Sequence, residues 1–128
     1  MEYLLTNELT MGIIEIKNIS IWARIGWYDE ELLIANEFRI SVKLWVRVNE
    51  NISELNETVD YASVSNSIKI VFQQPVTLLE QINEHIAFSI LNDFQVVDKL
   101  VVKVKKMHPS IGVKANSVSY KKEWHRLT

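Results

Sequence analysis

Polar and apolar residues alternate with a period of two at both ends of this chain, and the period lengthens to three or four in the middle. In residues 13–25 (IIEIKNISIWARI), Ile14 and Ile16 share one phase, and Ile19, Ile21, Ala23 and Ile25 share another. The segment therefore reads as one long strand whose phase shifts near Asn18, as a bulge would shift it. Residues 38–48 alternate without a break. Phe38, Ile40, Val42, Leu44, Val46 and Val48 take one face and Arg39, Ser41, Lys43, Trp45 and Arg47 the other, which predicts a strand with one buried face. From Asp60, a natural N-cap, the apolar positions Tyr61, Val64, Ile68, Val71 and Phe72 follow helical spacing. Pro75 separates a second helical run, whose stripe is Leu79, Ile82, Ile86, Ile90 and Phe94. Thr77 and Glu80 stand at its start with the spacing of a capping box. The period of two returns in 100–106 (LVVKVKK) and 117–124 (SVSYKKEW), predicting two more strands.

The order β-β-α-α-β-β in 128 residues predicts one α+β domain over 1–128, with 1–12 as an N-terminal extension. The expected architecture is a four-stranded antiparallel sheet with two helices on one face. Trp22 and Trp45 fall on the nominally polar faces of their strands, and a sheet this small has open edges. Both features predict cover from other subunits.

Composition narrows the class. The chain is 48% apolar and 23% charged, which excludes a disordered or collagen-like protein. Its apolar runs fall well short of the ~18 residues a membrane helix needs. The opening MEYLLTNELT carries two acids and no base, unlike a secretory signal, and there is no cysteine for a disulfide, a thiolate metal site or a nucleophile. A cytoplasmic location is expected, and the N-x-[ST] matches at Asn18, Asn51 and Asn56 are then chance. Charge is uneven. Residues 1–99 hold seven basic and fifteen acidic residues, whereas 100–128 hold seven basic residues and only Glu123. With little aromatic interleaving and an acidic chain overall, the basic end reads as the solvent-facing half of two strands rather than a nucleic-acid patch.

No strong catalytic motif is present, and His85, His108 and His125 lack metal-ligand spacing. The remaining polar candidates sit at element boundaries, and each has a plain structural reading. Glu31, in the acidic turn IGWYDEE, is a solvated acid; Tyr61 is a core residue; Glu80 is a capping partner; Lys105 faces water.

Taken together, IGWYDEE, TVDYASV, LLEQINEHIA and VKKMHPSIG, in this order and at these separations, resemble the dihydroneopterin aldolase family from about Ile14 to Arg126. The resemblance implies the tunnelling fold, in which subunits join their sheets into a barrel around a pore as a homotetramer or homo-octamer, with active sites between adjacent subunits. It implies a retro-aldol cleavage of dihydroneopterin to hydroxymethyl-dihydropterin and glycolaldehyde, a step in folate synthesis that uses no metal, cofactor or Schiff base. It also implies a pterin as the small-molecule partner, with neither nucleic acid nor membrane.

Residue by residue, the resemblance makes Glu80 the pterin anchor, its carboxylate accepting paired hydrogen bonds from the ring's N–H groups. Lys105, four residues before Pro109, matches the catalytic lysine. Tyr61 matches a tyrosine that relays a proton from the neighbouring subunit, and Glu31 the acid that closes the site and positions water. Val59, Asp60 and Leu79 would line the pocket. Trp27 departs from the family's usual smaller residue and would narrow the pocket or stack on the pterin. The run KKMHP departs from members whose lysine directly precedes proline. Two alternatives stay open: the sister dihydroneopterin triphosphate epimerase, whose substrate would need extra cations at the site mouth, and a pterin-binding homologue without activity.

Overall fold

The structure, a computed structural model, describes residues 11–48 and 51–127. Its sheet has the order β1-β2-β3-β4, formed by β1 (Met11–Ala23), β2 (Asn36–Arg47), β3 (Val97–Met107) and β4 (Ser117–His125), with every neighbouring pair antiparallel. Two helices, α1 (Tyr61–Val71) and α2 (Leu79–Asp93), cover one face. The expected extension over 1–12 overlaps the sheet, since Met11 and Gly12 already pair with Arg47 and Val46; residues 1–10 lie outside the described residues. No helix among the described residues is long and apolar enough to cross a membrane.

The phase shift in β1 is a bulge. Ile16 pairs with Val42 and Ile19 with Ile40, so Lys17 and Asn18 together oppose Ser41. Asn18 takes the left-handed conformation (φ 58°), which asparagine tolerates, and its amide donates to Ser41 Oγ at 3.0 Å. The bulge lets isoleucines of both phases face the helices.

The core lies between helices and sheet. Phe38, Ile40 and Leu44 from β2 and Leu100, Val102 and Val104 from β3 pack with Ile68, Ile82, Ile86 and Ile90, all of them fully buried. Burial of each such aliphatic side chain is worth about 1.5–3 kcal/mol. The edge strands contribute less: Ile14, Ile16, Ile19 and Ile21 of β1 and Trp124 of β4 are only partly buried. Asn83, the buried polar residue of α2, ties the β4 edge down. It accepts from Trp124 Nε1 at 2.8 Å and donates to the Val102 carbonyl at 2.7 Å.

Asp60 caps α1 as expected, accepting from the Ala62 amide at 3.0 Å. Tyr61 is 66% exposed, so its reading as a core residue is corrected: it opens the helix on the solvent side. The capping box of α2 is also corrected. Gln81, not Glu80, reaches back, its Oε1 accepting from the amides of Thr77 and Leu78 at 2.9 and 3.0 Å and from Thr77 Oγ1 at 3.1 Å.

Candidate active site

The chain leaving β1 turns through Ile25–Tyr28 into a short 3-10 helix, Asp29–Leu32, which folds Glu31 back over the end of the sheet. Glu31 Oε2 accepts from the Tyr28 amide at 3.2 Å, closing the turn on itself. A Cβ at position 26 would overlap the Glu31 side chain, so Gly26 is what lets the carboxylate lie there.

The partner of Glu31 comes from β3. Lys106 Nζ donates to Glu31 Oε1 at 2.7 Å and to the Ile25 carbonyl at 3.4 Å, with its side chain only 11% exposed. The ammonium also stands 5.8 Å from the Phe38 ring. The hydrogen bond from Lys106 is the main reason the Glu31 carboxyl sits below the ordinary glutamate range; partial burial opposes it, and the Tyr28 amide adds to it.

Beside this pair opens a cleft of about 250 Å³. One wall is Ile25, Gly26, Trp27, Tyr28 and Glu31, the opposite wall is Thr77–Glu80 at the start of α2, and Lys106, Pro109, Ser110 and Ile111 close the end. Because Gln81 does the capping, the Glu80 carboxylate is given no hydrogen-bond partner among the described residues and stands at the positive end of the helix. A second hollow, of about 470 Å³, lies on the other side of the Glu31–Lys106 pair and is lined by Glu30, Asn36, His108 and Ser110 among others. Within one chain, then, the Glu31–Lys106 ion pair and the Glu80 side chain line one cleft. Among the described residues no group of acids and histidines is placed to hold a metal ion.

Of the residues expected from the sequence, Trp27, Glu31, Leu79 and Glu80 line this cleft together. Lys105 does not. Successive residues of a strand point to opposite faces, and Val102 and Val104 are buried under the helices, so Lys106 continues their phase while Lys105 points with Lys103 to the helix-free face. The alternation in LVVKVKK carries the same signal, placing Lys106 and not Lys105 in phase with Val102 and Val104. Tyr61 lies at the β1 edge with Ile14, Ile16 and Ser65, away from the cleft. Val59 is buried, and Asp60 is engaged in its cap, with Oδ2 accepting from Ser63 Oγ at 3.0 Å. Trp27 lines the cleft and is 68% exposed.

A family model for dihydroneopterin aldolase (FolB) matches residues 14–123. The dihydroneopterin aldolase of Bacillus subtilis is 28% identical over 112 residues, which cover 85% of this chain and 93% of that protein. Among solved structures, a FolB protein of Vibrio cholerae superposes with a TM-score of 0.80 at 24% identity, over 92% of this chain and all of that one (100%). The Escherichia coli dihydroneopterin aldolase crystallised with neopterin superposes with a TM-score of 0.75 at 21% identity, over 89% and 99% of the two chains. The four-stranded sheet with two helices on one face is the fold these structures share.

Proposed function

The chain belongs to the dihydroneopterin aldolase family, a family of lyases, and on that footing we propose that it cleaves 7,8-dihydroneopterin to hydroxymethyl-dihydropterin and glycolaldehyde in folate synthesis. The observation that carries the reading is the Glu31–Lys106 pair at 2.7 Å, which lines one cleft with Thr77–Glu80 at the start of α2.

The roles follow from chemistry. Glu80, unpaired at a helix start, accepts hydrogen bonds from the amino and ring N–H groups of the pterin, and the first-turn amides of α2 serve the ring carbonyl. Trp27 and Leu79 bound the ring. Lys106, rather than Lys105, takes the lysine's part. It exchanges the proton of the side-chain hydroxyl while the carbon–carbon bond breaks, the electron pair passes into the pterin ring as an enamine, and a proton then returns to carbon. Glu31 holds the ammonium in place and orders water beside it. No metal or Schiff base is required, because the ring itself accepts the electrons.

Tyr61 and Val59–Asp60 reach such a site only from another copy of the chain. The open β1 and β4 edges, each with a half-buried inner face, support a ring of joined sheets. Among the residues lining the cleft and the adjoining hollow, Lys106 is the sole lysine or arginine. A triphosphate tail would find little counter-charge there, which favours the unphosphorylated substrate over the epimerase reading.

The test is to incubate the purified protein with dihydroneopterin, and separately with its triphosphate, and to separate the fluorescent pterins. Hydroxymethyl-dihydropterin from the free substrate is expected. Epimer from the triphosphate without cleavage would contradict the proposal, as would pterin binding with no product.

A further inference from the structure

We propose that the helix-free face of the sheet is a binding site for a short linear polyphosphate, held by Lys43, Lys103, Lys105 and Lys121. These four residues line one groove of about 430 Å³ on that face. Lys103 pairs directly with Lys121 across β3 and β4, where side chains of facing residues stand about 5 Å apart. Lys105 is two residues along from Lys103 on the same face, and Lys43 is the diagonal neighbour of Lys103, since Ser41 pairs with Lys103 and Lys43 with Val101.

Lysines facing one another across a ladder repel, and a sheet normally avoids the arrangement or answers it with acids. Here Glu15 is the one acid that lines the groove among the described residues. Among the described residues none of the four forms an ion pair, whereas their neighbours do: Lys17 with Glu15 at 3.8 Å and Lys99 with Glu123 at 3.1 Å. Glu15, the acid of the groove, pairs in register with Lys43 but is the single negative charge against five lysines. Four ammonium groups strung over roughly 10 Å of sheet suit an anion whose charge is spread along a chain, more than one compact phosphate. Trp45 does not offer a stacking surface for a nucleobase, because Lys43 and Lys99 already stand over its ring at 5.1 and 4.3 Å. The groove lies on the face opposite the Glu31–Lys106 cleft, and the site does not depend on the aldolase reading.

Calorimetric titration of the full chain with inorganic tripolyphosphate, without any pterin, tests this. Binding that weakens with added salt is expected, with about a tenfold loss in the Lys103→Gln/Lys121→Gln double variant and little change in Lys122→Gln, which removes a lysine of β4 from the other face. In the absence of anion, Lys103→Gln alone should raise the unfolding midpoint by relieving the cross-strand repulsion, while tripolyphosphate should raise that of the unaltered chain. The proposal is overturned if tripolyphosphate does not bind, or if Lys122→Gln weakens binding as much as the double variant. It is equally overturned if Lys106→Gln abolishes binding, which would place the anion in the cleft, or if an RNA oligonucleotide of equal phosphate content binds more tightly.

Discussion

Lys106 and Glu31 hold each other in a strip of the molecule that neither would occupy alone. A lysine side chain 11% exposed needs a counter-charge, and Glu31 supplies one through a turn that only a glycine at position 26 permits. The pairing sets a pH window. The Glu31 carboxyl lies below its unfolded value, so its contribution to stability is complete above the ordinary glutamate range and is lost as pH falls through the lowered value. The stability difference between the unaltered chain and Glu31→Gln, measured by urea unfolding, should therefore hold steady from about pH 7 to about pH 5 and shrink below about pH 4. A difference that instead grew with acid would contradict the pairing. Which lysine meets Glu31 is legible in the alternation of β3, because Lys106 keeps the phase of Val102 and Val104, whereas the spacing from Pro109 carries no information about faces.

The elements themselves were legible for a simple reason: each buries one face against the same core. The bulge at Asn18 could be read because isoleucines mark both phases of β1, and α1 because Asp60 caps it. The start of α2 lies one residue beyond the position its capping-box spacing predicts. Thr77 and Glu80 have capping-box spacing, yet the helix begins at Leu79 and its cap interactions converge on Gln81. That difference has chemical weight, since the cap then makes no use of Glu80. Gln81→Ala should cost about 1 kcal/mol of stability, seen as a lower urea midpoint, whereas Glu80→Ala should leave the midpoint nearly unchanged and weaken pterin binding. If Glu80→Ala were the more destabilising of the two, the anchor role would lose its basis.

At the scale of the whole molecule, the proposed site needs two chains. The Glu31–Lys106 cleft and Tyr61 belong to different regions of one chain's surface, and the expectation that a second copy would join them comes from the family resemblance, since residue patterns within one chain carry no signal for it. The half-buried inner faces of β1 and β4 are the structural counterpart, because closing the sheet edges against further copies would finish burying them. A shared site makes a definite prediction. Lys106→Gln and Tyr61→Phe, each inactive alone, should recover a fraction of activity when unfolded together and refolded as mixed assemblies, since some interfaces then pair an intact cleft with an intact tyrosine. Absence of any recovery would mean that each chain works alone.

The most direct test of the account is a matched pair of variants, Lys105→Gln and Lys106→Gln, assayed for hydroxymethyl-dihydropterin release from dihydroneopterin alongside pterin binding. The geometry predicts that Lys106→Gln lowers kcat by about a hundredfold or more while the pterin still binds, and that Lys105→Gln stays within about threefold of the unaltered chain. The reverse outcome, with Lys105 essential and Lys106 dispensable, would contradict the placement of the reaction in the Glu31–Lys106 cleft.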